Sequence, residues 1–288
     1  MLTVFFQQVL NGLVLGGSYA LMSMGLTMIF GILEVINFAH GEIYMIGAFM
    51  TLYCTTLLGV PFLLAVPISM IVVALLGLMI QKMVFRPIIG KPMINGMLLS
   101  FGLSVFLMNL SILLFKADPR SLESGYAHVN IHFFGLQITL ERLLAIIVAI
   151  ILVCLLYLFI QRTKIGIAMR AVAEDREAAQ AVGVNIARIH LVTFAIGCAL
   201  AASAGSIAGA IFFVSPIMGW TPAIKSFVVV ILGGFGSITG AIFASLILGI
   251  VESIGGGYIS YAYKDAYAFI ILLLAFLLKP EGLLGGSK

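Results

Sequence analysis

Long stretches without charge decide what this chain can fold into. No charged residue precedes Glu34, and none lies between Glu42 and Lys82. An ionised side chain at the centre of a bilayer costs at least about 2.5 kcal/mol, so charges mark the limits of apolar spans. Hydrophobic residues make up 62% of the 288 residues and charged residues 9%, which leaves too little polar surface for a water-soluble domain. The sequence therefore predicts a polytopic membrane protein.

The charge-free runs predict an all-α membrane helix bundle with eight full spans and one short or re-entrant segment. Helices are expected because a helix satisfies its own backbone in lipid. The whole chain, 1–288, reads as one transmembrane domain with a polar loop at 161–189. The expected full spans are about 9–31, two between Glu42 and Lys82 separated at Leu58–Pro61, 93–115, Arg142 to Arg162, 190–213, one after Gly236 and one ending at Lys279, and the short segment is 222–234.

The basic residues predict an orientation. Of the 15 Lys and Arg residues, five are expected on one side of the membrane and the rest on the other. The larger group consists of Lys82, Arg86, Lys91, Arg162, Lys164, Arg170, Arg176, Arg188, Lys279 and Lys288, and the smaller one of Lys116, Arg120, Arg142, Lys225 and Lys264. Because basic loops face the cytoplasm, we expect an external N-terminus, with the C-terminus and the 161–189 loop inside.

A charged island interrupts the apolar pattern at 169–185, which reads MRAVAEDREAAQAVGVN. Asp175 is a good N-cap, Glu177 falls in the first turn where the helix dipole favours an anion, and Gly183 suits a left-handed C-terminal position. These signals predict a two-turn helix over 176–182. So short a helix is unstable alone in water, so it needs a surface to dock on. Ala178, Ala179 and Val182 are expected on one shared face.

A second polar stretch lies at the end of the first span, where residues 34–42 read EVINFAHGE. Broken helices in transporters expose backbone only where it lines a cavity or is buried in protein. Asn37, His40 and Glu42 are therefore candidates for the translocation path or its cytoplasmic gate. The alternative is that they cap the ends of two helices, with Asn37 as an N-cap. Glu252, near the end of another span, is expected to be interfacial.

Four glycines interrupt the chain at and after the end of the short segment, at Gly233, Gly234, Gly236 and Gly240. A nucleotide-binding loop is a poor interpretation, because no Lys-Ser/Thr follows and apolar helix flanks the glycines on both sides. Close helix packing accounts for them better. No H-E-x-x-H or G-x-S-x-G motif occurs either, so the sequence indicates no enzyme, no metal site and no cofactor.

The charged island also carries a family signature. The segment EAAQAVG at 177–183 matches E-A-A-x-x-x-G, the cytoplasmic signature of ABC importer permeases. Two further segments, GLTMIFGILEVINFAHGEIYMIGAFM at 25–50 and FVVVILGGFGSITGAIFASLILGIVES at 227–253, resemble the branched-chain amino-acid permease family of the LivH type. The resemblance runs along essentially the whole chain. It departs from the fullest signature in lacking I-x-L-P, because Thr193 stands where Ile is found.

The resemblance implies a role for the island and a set of partners. The island would be the coupling helix that sits in a groove of an ATPase subunit, through Glu174, Asp175, Arg176, Glu177, Ala178, Ala179, Val182 and Gly183. The expected assembly joins a second homologous permease, two cytoplasmic ATPase subunits and an external substrate-binding protein in a bacterial plasma (inner) membrane, with lipid around it and no nucleic acid. ATP hydrolysis would occur on the partner subunits. The implied substrates are branched-chain or related amino acids, with urea or short amides as the alternative.

A different class of function stays open at this point. An ion-coupled or proton-coupled secondary carrier could use Glu34, Glu42 or Glu252 as its titrating group. Such a carrier needs at least one carboxylate well inside a span. The predicted spans put Glu34 and Glu42 at span ends, which disfavours it.

Overall fold

Helices account for most of the chain. The structure is a computed structural model that describes residues 2–122, 124–126, 129–133, 135–279 and 282–284. Lys288, which the charge count above includes, lies outside the described residues. The helices are α1 (Leu2–Leu33), α2 (His40–Thr56), α3 (Phe62–Ile80), α4 (Met93–Phe115), α5 (Leu140–Arg162), α6 (Lys164–Glu174), α7 (Arg176–Ala181), α8 (Ile186–Ile211), α9 (Trp220–Gly233), α10 (Ile238–Tyr258) and α11 (Lys264–Leu278). The strands are β1 (Arg120–Ser121), β2 (Asn130–Phe133), β3 (Leu136–Thr139) and β4 (Phe213–Val214).

The all-α membrane architecture is confirmed, but the expected eight full spans are not. Seven helices of the described residues are long and apolar enough to cross a membrane. They are Leu2–Leu33, Phe62–Ile88, Met93–Phe115, Leu140–Arg162, Ile186–Ile211, Ile238–Tyr258 and Tyr261–Leu278. The difference is α2, which has 17 residues, while α9 has 14. Both are short because both begin inside the bundle, as the geometry below shows.

The long helices run alternately between two ends of the molecule. The strand end carries the start of α1 and the strands: β1 pairs with β4 in antiparallel register, and Gln7 exchanges hydrogen bonds with the Gln137 backbone of β3. The α7 end carries α6, α7 and the turns that follow α3. Residues after α11 return to the α7 end, where Leu283 N–H donates to the Leu232 carbonyl at 2.8 Å.

Helices α1, α8 and α10 form the centre, and glycines let their backbones approach. A Cβ added at Gly12 of α1 would lie 2.6 Å from Ile250 Cα of α10, and one at Gly25 would lie 2.7 Å from the Gly197 carbonyl oxygen of α8. Contacts of this kind suit a membrane, where association depends on close packing rather than on the hydrophobic effect. The outer helices α4, α5 and α11 instead expose rows of large apolar side chains.

The glycine cluster forms the turn between α9 and α10. A Cβ added at Gly233 would lie 2.5 Å from the Gly240 carbonyl carbon, so the two helices touch backbone to backbone. Gly234 and Gly236 have φ values of 97° and 77°, a region that residues with a Cβ rarely adopt. Gly236 also packs against Gly31, near the end of α1. The turn therefore needs glycine both for contact and for backbone conformation.

Replacing Gly240 with alanine tests this contact. The added methyl group meets the Gly233 carbonyl, so α9 and α10 must separate, and we expect a loss of about 1–3 kcal/mol in unfolding free energy. The matched control is Gly102→Ala in α4, where an added Cβ meets nothing within 4 Å and alanine is the better helix former. Thermal unfolding in detergent measures both. Equal melting temperatures for the two variants would contradict the packing account.

Candidate translocation path and coupling helix

The break between α1 and α2 lies inside the bundle. Glu34 ends α1 with a φ of 56° and is exposed, and the chain becomes helical again only at His40. The His40 Nε2 atom lies 3.1 Å from the Met22 carbonyl oxygen of α1. Met22 precedes the end of α1 by roughly three turns, or about 16 Å. Helix α2 therefore starts inside the bundle. The residues that connect α1 to α2 run back alongside α1, from its end to the level of Met22.

A serine from α4 satisfies the exposed backbone of this break. The Ser100 hydroxyl donates to the Ile36 carbonyl at 2.9 Å and accepts from the Phe38 N–H at 3.1 Å. The Asn37 Oδ1 atom accepts from the Ala39 N–H at 3.1 Å. Non-helical backbone at membrane depth is tolerated only where the protein supplies such partners. Nothing in the sequence pattern singled out Ser100, because α4 reads as an ordinary apolar span.

The predicted path residues are all buried here. Asn37 and His40 have no exposed surface, and Glu42, in the first turn of α2, has almost none. Asn37 does not act as the N-cap of α2, because that position belongs to Ala39 and the asparagine instead closes a turn ahead of it. Among the described residues, Asn37 Nδ2, His40 Nδ1 and Glu42 Oε2 have no hydrogen-bond partner. All three residues lie at or just before the start of α2.

A second helix begins at the same place. A Cβ added at Gly41 would lie 2.5 Å from the Gly219 carbonyl oxygen, immediately before α9, and 2.9 Å from Ala223 Cβ. The N-termini of α2 and α9 therefore meet backbone to backbone. The chain reaches Gly219 from β4 at the strand end, and α9 ends beside α10 at the α7 end. The short segment predicted at 222–234 thus lies in α9, a 14-residue helix that ends at the turn with α10.

Sequence reasoning missed a buried charge cluster next to α9. Lys225 was expected as a boundary charge and Glu252 as an interfacial one, yet both are buried. The Lys225 Nζ atom lies 2.8 Å from Glu252 Oε1 and 2.9 Å from Asp265 Oδ1. The Tyr19 hydroxyl donates to Glu252 Oε2 at 2.9 Å. We call Tyr19, Lys225, Glu252, Lys264 and Asp265 the charge cluster, and it ties α1, α9, α10 and α11 together.

The charge cluster borders a cavity of about 470 Å³ near the strand end. Tyr19, Lys225, Lys264 and Asp265 line it together with residues of α1, α8 and α9. Volumes of this order suit small-molecule ligands. Asn37, His40 and Glu42 do not line this cavity.

One sequence signal could have found the pair. Lys225 and Glu252 have opposite charges and lie in apolar segments on either side of the glycine turn. An ionisable residue inside a span is costly and calls for a partner of opposite charge. The pair does not show in the pattern of charge-free runs, because a charge that marks the end of a span is expected at the surface.

Helix α7 lies within the predicted island. The Asp175 side chain accepts from the Ala178 N–H at 2.9 Å, which caps the first turn. At the other end Gly183 has a φ of 90° and its N–H donates to the Gln180 carbonyl at 3.0 Å. The Val184 N–H donates to the Ala179 carbonyl at 3.0 Å, which completes a Schellman motif. Both ends of the helix are therefore closed by its own residues.

The outer surface of α7 differs from the expected face. Ala179 is buried in the same cluster as Met169 and Val172 of α6, so it faces its own chain and is not available to a partner. This arises because α6 packs against α5 and α8, and α7 in turn packs against α6. Val182 is 82% exposed, and Ala178 is exposed as well. The exposed residues of the island are Arg170, Glu174, Asp175, Arg176, Glu177, Ala178, Gln180, Ala181, Val182, Gly183 and Asn185.

Comparison with known proteins decides the family. Residues 8–276 match the family described as the permease component of a branched-chain amino acid transport system. The chain belongs to this permease family. The resemblance read from 25–50, 177–183 and 227–253 is thereby confirmed. No solved structure matches the chain.

Individual relatives cover almost the full length. A high-affinity branched-chain amino acid transport permease, BraD of Pseudomonas aeruginosa, is 37% identical over 98% of this chain and 96% of its own. LivH of Escherichia coli is 35% identical over the same shares. LivM of Escherichia coli is 26% identical over 92% of this chain and 67% of its own. Family members of both the LivH and the LivM kind are thus similar to this permease.

Ser100→Ala tests the account of the α1–α2 break. Without the hydroxyl, the Ile36 carbonyl and the Phe38 N–H lose a partner in an apolar setting, and we expect a loss of about 1–3 kcal/mol in unfolding free energy. The control is Ser203→Ala, since the buried Ser203 hydroxyl donates only within its own helix, to the Leu200 carbonyl. Thermal unfolding in detergent compares the two variants. A larger loss for Ser203→Ala than for Ser100→Ala would contradict the account.

Proposed function

We propose that this permease is the membrane-spanning subunit of an ATP-driven importer for branched-chain or related amino acids, and that α7 is its coupling helix. The observation that supports this most is α7 itself: a capped helix with an exposed, charged outer surface at one end of a membrane bundle. The partners in this proposal are a homologous second permease, two ATPase subunits at the α7 end and a substrate-binding protein at the strand end. ATP hydrolysis belongs to the ATPase subunits.

A short connection joins α7 to the centre of the bundle. Residues 182–185 separate it from α8, and the Asn185 side chain caps α8 by accepting from the Arg188 N–H at 3.0 Å. Helix α8 packs against α1, α2 and α3. A push on α7 by a closing ATPase dimer would therefore reach three spans through one rigid helix. In this proposal residues 161–189 form the coupling loop of a single transmembrane domain, 1–288.

The proposed orientation places the α7 end in the cytoplasm and the N-terminus outside, in the plasma (inner) membrane of a bacterium. The α1–α2 break then faces the cytoplasmic half, where Asn37, His40 and Glu42 would act at a gate. Their unpartnered polar atoms support this, because a buried polar atom without a partner is costly unless a ligand, water or another conformation satisfies it. The family also leaves urea or short amides open as substrates.

One observation favours the secondary carrier, and two others speak against it. Glu252 is fully buried in α10, so the chain does have a buried carboxylate of the kind that an ion-coupled carrier could use. That carboxylate is already paired with Lys225 at 2.8 Å. A carrier also has no use for an exposed, doubly capped helix such as α7. The importer accounts for both features, and dependence on ATP separates the two functions.

Val182→Arg tests the coupling role. The added cation would enter the ATPase groove without a partner, and we expect the ATPase to be bound at least about tenfold less tightly. Val182 is exposed in this chain, so the variant should insert and fold normally. The control is Val129→Arg, the same change at an exposed valine of the strand end. Co-purification of the ATPase in detergent and ATP-driven amino-acid uptake in proteoliposomes are the measurements.

Two results would contradict the proposal. One is ATPase binding and uptake by Val182→Arg equal to those of Val129→Arg. The other is uptake that persists without ATP but stops when the ion gradients are collapsed, which would establish the secondary carrier.

A further inference from the structure

The cavity near the strand end combines charges of both signs with an apolar wall. The charge cluster contributes Lys225, Lys264 and Asp265 to its lining. Val14 and Leu15 of α1 line the cavity as well, together with Phe212 and Met218. A second cavity of about 250 Å³ adjoins it and shares Lys264. Few small molecules fit such surroundings, because the ligand must offer charged groups and an apolar body together.

Within the charge cluster, Lys225 and Glu252 are held by contacts inside the protein. The Lys225 ammonium contacts Glu252, Asp265 and the Tyr19 hydroxyl, the last at 3.3 Å. These partners use the three donors of an ammonium group. Lys225 is therefore engaged inside the protein and has no donor left for a ligand.

Asp265 and Lys264 are the members still open to a ligand. The Asp265 side chain is 66% exposed, and its ion pair with Lys225 uses Oδ1. Lys264 lies 3.9 Å from Glu252 Oε2, which is a loose pair, and its side chain is 18% exposed. These adjacent residues at the start of α11 present one anion and one cation to the same space. Thr221, in the first turn of α9, also lines the cavity.

The sum of the charges selects the kind of ligand. Two lysines and two carboxylates balance in the charge cluster, so a ligand with one net charge would bring in a charge that nothing in the cluster compensates. A zwitterion engages both open groups at once. An uncompensated charge in a partly buried site is one way in which a site discriminates against the wrong ligand.

We propose that this cavity is a binding site for zwitterionic α-amino acids with apolar side chains. The ligand ammonium pairs with Asp265, the ligand carboxylate pairs with Lys264, and the side chain lies against Val14, Leu15, Phe212 and Met218. This inference rests on the proposed import function and adds to it a site in the permease and the residues that would recognise the two charges of the substrate. It places the site inside a single permease chain, near the end that faces the binding protein.

Three ligands that differ only in charge test the site. Leucine carries both charges, 4-methylpentanoate only the carboxylate, and leucinamide only the ammonium. The permease–ATPase assembly, purified without its binding protein, is titrated with each. We expect leucine to bind at least about tenfold more tightly than either analogue, because each analogue lacks one of the two charge-assisted contacts and brings an uncompensated charge into the site.

Two substitutions should change this preference in opposite ways. Asp265→Asn weakens leucine and leucinamide but not 4-methylpentanoate, so leucine and 4-methylpentanoate bind within about threefold of each other. Lys264→Gln weakens leucine and 4-methylpentanoate but not leucinamide. Asp265→Glu keeps the charge and should restore most of the preference for leucine. Asp118→Asn, the same chemical change at an exposed residue of the strand end, serves as the control.

A merely structural role gives a different pattern. If the charge cluster only holds helices together, Asp265→Asn and Lys264→Gln lower the melting temperature and weaken all three ligands equally, which would overturn the inference. Absence of leucine binding to the unsubstituted assembly up to about 10 mM would also overturn it. Neither result touches the proposed import function, which fails separately if the complete importer shows no ATP-driven uptake.

Discussion

Polar groups in an apolar bundle must find partners inside the protein, and the rest of this structure depends on how they do so. The chain breaks its helical pattern before α2 and before α9, and the two helix starts meet at Gly41 and Gly219. One serine, Ser100 of α4, satisfies the backbone of the first break. Because these breaks lie inside the bundle, α2 and α9 are shorter than the seven helices that are long enough to cross a membrane. Irregular backbone at this depth is typical of transporters.

The same constraint explains the buried ions and divides the molecule by task. Lys225 and Glu252 are tolerated because they pair with each other, and the charge cluster to which they belong joins four helices around a cavity near the strand end. The opposite end carries α7, closed by its own caps and joined through a few residues to α8. Helix α8 spans the distance between these ends. The proposed amino-acid site at one end and the proposed ATPase contact at the other would thus be linked by a single helix.

Local signals in the sequence were sufficient for α7 and for the family, but not for the cavity. Asp175 and Gly183 act within a few residues of the helix they close, so spacing alone predicts them. The depth of α2 depends on Ser100 and Met22, which are distant in sequence and unremarkable in type. Lys225 and Glu252 lie on two different helices, α9 and α10, and only the fold brings them together. Ala179 was expected to face a partner, and only the way α6 folds back shows that it faces its own chain.

Sidedness of the two ends tests the account most directly. Gln180 lies on α7 and Asp118 lies beyond the end of α4 at the strand end, and both are exposed. A cysteine at each position, probed with a membrane-impermeant thiol reagent in cells and in inverted vesicles, reports which end faces which side. The account predicts that the cysteine at 118 is labelled only in cells and the cysteine at 180 only in inverted vesicles. Labelling of the cysteine at 180 from outside the cell would contradict it, because α7 could then meet no cytoplasmic ATPase.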